Sequence, residues 1–290
     1  MNPLLRGVAT ALLVSVGVLL ARMVARALAP WRAPADAPAA FLKHGRAPGT
    51  RTVVVCAGDS ITHGVMSADY VDLLRGRQGG DGYEFVNAGM NGNLAWNVLQ
   101  RLDDVVACRP DAVTLLVGTN DVLATLGPPW ESTYRRQQHI LVTPNLSWYV
   151  ENVREIIHRL RAETGAGLAI LDLPPLGEDL ESEINGRVRE YNEALREVAA
   201  ETGVEVLPLH DRLLALLPTG HTPPPFEGRR GLMGSALARR LVRRSSWDEV
   251  SEAHGLVLLT DHLHLNDRAA AVVAGLIEAW LAAEGLTGPA

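Results

Sequence analysis

Five short apolar runs, most of them closed by a cluster of small or polar residues, restrict what this chain can fold into more than any other feature. Val53-Val54-Val55-Cys56-Ala57 breaks off into Gly58-Asp59-Ser60, and Tyr83 to Ala88 leads into Asn87-Ala88-Gly89-Met90-Asn91-Gly92-Asn93. Asp111 to Val117 meets Gly118-Thr119-Asn120-Asp121, Leu168 to Leu173 meets Pro174-Pro175, and Val204 to Pro208 follows as a fifth run. Runs of this length, rich in β-branched residues and stopped by turn formers, read as strands buried on both faces. Between them lie stretches with helical spacing: Tyr70 to Leu74, Leu94 to Val106, Leu146 to Glu163, Ile184 to Thr202, and after the fifth run Asp267 to Glu284. Strands alternating with helices predict an α/β fold with a parallel sheet covered on both faces. Right-handed crossovers then bring the C-terminal ends of all strands to one edge, where open sheets of this kind place their sites.

The 47% hydrophobic content of the 290 residues supplies a core for such a sheet. A formal net charge of −6 and no long basic run argue against nucleic acid as the main partner. Cys56 and Cys108 are too few for a disulfide framework and stand in no metal-ligand spacing, so both read as small core residues.

The first 28 residues differ from the rest. An apolar to weakly polar run from Gly7 to Ala21 is followed by Arg22, Arg26 and Arg32, which predicts an N-terminal hydrophobic helix acting as a membrane anchor or export signal. Pro30, directly after Ala27-Leu28-Ala29, disfavours cleavage there, and the side of the membrane stays open. Residues 29–51, rich in Pro, Ala and Gly, read as a linker, so that the folded domain spans 52–290. Within it, an insert at about 212–256, Pro-rich from Pro218 to Pro225 and basic from Arg229 to Arg244, interrupts the alternation. It reads as a lid over the site or as a surface excursion.

Ser60 stands where the first strand delivers a hydroxyl to the sheet edge, although Gly-Asp-Ser is also ordinary turn chemistry. Thr260-Asp261-His262-Leu263-His264-Leu265-Asn266 precedes the last helix. An acid three residues before a histidine can turn its carboxylate onto the ring and set its tautomer, which suits Asp261 and His264 to orient and carry a general base. His262 is the rival base, but its adjacency to Asp261 points it the other way in an extended segment. Candidate oxyanion donors are the Ser60 N–H, the N–H of Gly92 and the side-chain amide of Asn120.

Gly58-Asp59-Ser60, Gly92, Gly118-Thr119-Asn120-Asp121 and Asp261-x-x-His264 occur in the order of the four blocks of the SGNH, or GDSL, hydrolases, which the chain resembles from about Thr52 to Leu281. The resemblance implies a three-layer α/β/α flavodoxin-like fold with five parallel strands in the order 2-1-3-4-5, and serine-dependent hydrolysis of carboxylic esters without metal or other cofactor. It also implies Ser60 as nucleophile, Asp261 and His264 as its partners, and Ser60, Gly92 and Asn120 as the oxyanion hole. Gly89 ranks below Gly92, because the spacing from Asn87 is the one that resembles the family. The insert is longer than in compact members. Lipid, carbohydrate and small soluble esters all fit as substrates, and acyl transfer to an alcohol is chemically the same second step. Two other readings remain: a metal-dependent phosphoesterase using Asp59, Asp121, His262 and His264, and a binding module on the same fold. Oligomeric state is not legible.

Overall fold

The computed structural model of the chain describes residues 33–79, 82–226 and 231–286. The hydrophobic segment expected over residues 1–28 lies outside them, and among the described residues no helix is long and apolar enough to cross a membrane. Five parallel strands form one sheet: β1 (Thr52–Gly58), β2 (Tyr83–Gly89), β3 (Ala112–Leu116), β4 (Gly167–Leu171) and β5 (Glu205–Leu207), in the order β2-β1-β3-β4-β5. That is the order the resemblance implies, and each strand falls within a residue or two of its apolar run. β1 is an interior strand, paired along nearly its whole length, Thr52 opposite Tyr83 through Gly58 opposite Gly89 on one side and Val54 to Gly58 opposite Ala112 to Leu116 on the other.

Alternation along β1 builds two cores. Val53, Val55 and Ala57 join one cluster with Leu94, Val98, Tyr149, Val153, Val188 and Leu195. Val54 and Cys56 join the other with Tyr70, Leu74, Val273, Ile277 and Trp280. Val53 to Ala57 are all completely buried, and each valine buried in this way contributes about 1.5–3 kcal/mol. Helices therefore cover both faces. Burial pushes the Cys56 thiol up to about 12 and that of Cys108 to about 11, so both stay protonated and unreactive, as core residues should.

Three sequence expectations need correction. The linker does not extend to residue 51, because the folded unit begins at Ala33. Pro38–His44 is a helix with Phe41 in the core; Asp36 pairs with Arg75, and its carbonyl accepts the Asn87 N–H at 3.1 Å. Composition concealed this because one buried aromatic and a few polar anchors hold a segment otherwise rich in Pro, Ala and Gly. The helix expected over Leu94 to Val106 is two short ones, Ala95–Gln100 and Leu102–Ala107, broken where Arg101 leaves helical geometry at φ −116°. The insert is no mere surface excursion, since Leu213, Ala236, Trp247 and Val250 are buried in the second core.

Candidate active site

β1 ends at Gly58, and a four-residue helix, Ser60–His63, starts at once. The turn is tight enough that a Cβ on Gly58 would lie 2.5 Å from the Leu116 carbonyl oxygen and 2.2 Å from Thr62 Oγ1. Asp59 caps the helix, its Oδ1 accepting the Ile61 N–H at 3.0 Å. Its Oδ2 accepts from Thr119 Oγ1 at 2.7 Å and from Asn120 Nδ2 at 3.2 Å, which ties the Ser60 turn to the end of β3. The middle residue of Gly-Asp-Ser is thus a brace between two strand ends.

Asp261 and His264 occupy a turn closed by an antiparallel bridge between Leu259 and Leu265 and by Thr260 N–H to His264 O at 2.7 Å. Asp261 Oδ1 accepts the backbone N–H groups of His264 at 2.9 Å and Leu263 at 3.2 Å. The imidazole Nδ1 lies 2.9 Å from Oδ2 and 3.0 Å from Oδ1, and Nε2 lies 2.9 Å from Ser60 Oγ. The three side chains, 204 residues apart at the extremes, form one buried chain of hydrogen bonds. Burial alone would raise the Asp261 pKa. The imidazole beside it and the N–H donors around it outweigh burial and hold the carboxyl below the ordinary value, so it stays ionised against the ring.

Glu178 positions this turn, and no local signal in the sequence marks it. Its fully buried carboxylate accepts the N–H groups of Val257, Leu258 and Leu259 at 2.7–3.1 Å, and His221 of the insert at 2.7 Å. The insert is thereby fastened beside the Asp261 turn. Its Phe226 ring stacks on Trp130 with centroids 6.2 Å apart and meets the His262 ring edge-on at 5.6 Å. His262, the rival base, has φ +71° and turns to Phe226, while His264 takes Ser60.

Gly92 sits at φ +74° in the turn after β2. Among the described residues its N–H takes no acceptor, and neither does that of Ser60, the first helical residue after β1. Gly89 differs: its N–H donates to Asn87 Oδ1 at 3.0 Å, and a Cβ there would lie 2.2 Å from the His63 nitrogen, so it serves close packing. Asn120 is completely buried; Nδ2 donates to the Asn93 carbonyl at 2.9 Å and Oδ1 accepts from Tyr134 OH at 2.6 Å, which sets which way the amide faces.

Asp121 accepts the Ala95 N–H at 3.1 Å, and burial, opposed by that bond and reinforced by the Asp59 charge, pushes its carboxyl up to about 8. Between the ordinary value of 3.8 and about 8 the folded chain keeps a proton that the unfolded chain releases. The associated stability is complete below 3.8, declines as pH rises, and is gone above about 8. Asp121→Asn keeps an acceptor for Ala95 and removes the titration. Relative to this variant, the parent should lose about 5 °C or more of thermal midpoint between about pH 5 and pH 9, as followed by circular dichroism. Parallel melting curves at both pH values would contradict a buried, proton-holding Asp121.

Of the side chains in the phosphoesterase reading, Asp59, Asp121 and His264 are engaged in these hydrogen bonds, and among the described residues no three His, Cys, Asp or Glu groups converge in a way that could hold a metal ion. A cavity of about 670 Å³ lies elsewhere, along residues 47–51 and the start of β2, and is lined by none of Ser60, Gly92, Asn120, Asp261 and His264.

The fold is similar to that of the acetyl xylan esterase AlAXEase, at 21% identity and TM-score 0.55, covering 79% of this chain and 99% of that one. It is also similar to a lipase/acylhydrolase from Enterococcus faecalis, at 20% identity and TM-score 0.56 over 83% and 99% of the two chains. The acetylxylan esterase Axe2 from Geobacillus stearothermophilus gives 17% identity and TM-score 0.53 over 79% and 93%. No curated protein sequence matches the chain. The sequence profile of the GDSL-like lipase/acylhydrolase family matches residues 56–272, most of the folded unit and every site residue above; the chain belongs to that family and is a carboxylic ester hydrolase.

Proposed function

We propose that the chain hydrolyses esters with Ser60 as nucleophile, His264 as general base and Asp261 as the group that orients and stabilises the imidazole. The observation that carries this reading is the unbroken contact from Ser60 Oγ through His264 to Asp261. As Oγ bonds to the ester carbonyl carbon, its proton moves to Nε2 and the carbonyl π pair becomes an oxyanion. The N–H groups of Ser60 and Gly92 are the donors that oxyanion would meet, with the Asn120 amide as the third. Its longer bond, the 3.2 Å one to Asp59, is the one open to sharing. Collapse of the intermediate breaks the bond to the alcohol oxygen, which leaves with the proton from Nε2. Water, activated by the same imidazole, then releases the acid; an alcohol in its place would give acyl transfer.

For the substrate we propose a short acyl ester on a carbohydrate. Trp130 and Phe226, both half-buried, stack beside the Asp261 turn, with Phe226 backed by the buried His262 ring, and give an aromatic patch against which a sugar ring can lie. Two of the similar folds carry the name acetyl xylan esterase. Nitrophenyl esters from acetyl to palmitoyl should show turnover falling with acyl length, with Ser60→Ala as the blank. Phe226→Ala should raise KM for an acetylated oligosaccharide about 3- to 10-fold more than for the ring-free ethyl acetate. Preference for palmitoyl would overturn the carbohydrate assignment in favour of a lipid ester, and equal effects on the two acetyl esters would overturn it in favour of a small soluble ester.

A further inference from the structure

Arg101, where the helix after β2 breaks, is absorbed by no function described so far. Its Nε donates to Asn93 Oδ1 at 2.8 Å and its Nη2 to the Gly58 carbonyl at 2.9 Å. These acceptors belong to the two segments that carry the proposed backbone oxyanion donors. Gly58 is two residues before Ser60, and Asn93 directly follows Gly92. The Gly58 carbonyl also accepts the Met90 N–H at 3.2 Å, from the start of the same turn, and the Asn93 carbonyl is held by Asn120. Burial lowers the Arg101 pKa to about 10, opposed by the charges of Asp104 and Asp59, so the guanidinium remains a cation at neutral pH.

We propose that Arg101 is a positioning residue that sets the separation of the Ser60 and Gly92 amides, an inference that rests on the oxyanion-hole reading above. A planar guanidinium presents N–H groups in fixed directions, so one side chain can define the distance between two acceptors on different segments. Without it the turn from Met90 to Asn93 retains Asn120 and the Met90 N–H, which hold its ends but do not link the Asn93 side chain to β1. The break in helical geometry at Arg101 follows from the same placement, since the residue spans between β1 and the turn while the next helix starts on a new axis.

The test uses the full chain carrying Arg101→Lys or Arg101→Ala. Both are assayed on nitrophenyl acetate, with active sites counted by a fluorophosphonate so that unfolded protein does not enter kcat. A phenylboronic acid that forms a tetrahedral adduct on serine is titrated in parallel. Lysine keeps the stem and the charge but not the two fixed directions. We expect kcat per site to fall about 10- to 100-fold in Arg101→Lys with KM within about 3-fold, as a displaced rather than deleted donor implies. The boronate should weaken by a similar factor, because transition-state analogues track kcat/KM. Unchanged kcat and boronate affinity in Arg101→Lys would overturn the proposal, as would a fall in kcat with the boronate unaffected. Ser60→Ala separates the two levels. If it retains activity, the nucleophile reading itself fails; if it is inactive while Arg101→Lys behaves as the parent, only the positioning role is lost.

Discussion

Ser60→Ala is expected to reduce kcat on nitrophenyl acetate by about 10⁴-fold or more, with the fold and thermal midpoint retained. The serine side chain is small and buried at the first residue of a short helix, and its Oγ has one described partner, His264 Nε2. Removing it leaves the ring held by Asp261 and leaves the cap on Asp59 intact. Loss of activity is therefore a loss of chemistry. Parent-like turnover in the alanine variant would end the assignment of Ser60 as the nucleophile. A fluorophosphonate that labels the parent and not the variant gives the same answer without a substrate.

Asp261→Asn should cost nearly as much, about 10³- to 10⁴-fold in kcat with KM little changed. Oδ1 of Asp261 receives two backbone N–H groups as well as the ring nitrogen, so an asparagine will keep its oxygen there and turn its NH₂ toward His264 Nδ1. Facing a donor, Nδ1 must become the acceptor, which moves the ring proton to Nε2 and points it at Ser60 Oγ. The base then holds a proton where it should take one. The ¹⁵N shifts of the His264 ring should report this change of tautomer at neutral pH. An Asp261→Asn variant with the parent tautomer and unimpaired kcat would show that Asp261 does not orient the base. The acid limb of stability differs in origin: Asp261 is held below the ordinary carboxylate value in the folded chain, so the stability it contributes is present above that value and is lost as pH falls through the lowered pKa.

What the sequence alone could determine is what depends on local chemistry. The apolar runs before Ser60, Asn87, Asn120 and Pro174 set the strands, because a short run with both faces apolar, stopped by turn formers, has few other uses. The spacing of Asp261 and His264 was readable because three residues bring a carboxylate back onto a ring within one turn. Gly58-Asp59-Ser60 was readable only as a motif, since Asp59 acts through Thr119 and Asn120, 60 and 61 residues away.

What tertiary structure alone decided are the contacts between segments with no shared pattern. Glu178 is an unremarked acid until three N–H groups from residues 257–259 converge on it, and Phe41 sits in a stretch that composition assigns to a linker. Arg101 reads as a charged interruption of the apolar face formed by Leu94, Val98 and Val105, and only the folded chain shows that it spans from β1 to the turn after β2. The insert likewise lacks any periodic signal that would join it to the core, and only packing places Trp247 inside and Phe226 against Trp130. The physical reason is common to all four: a hydrogen bond or ring contact made across tens of residues costs no local preference, so it leaves no mark on the residues around it.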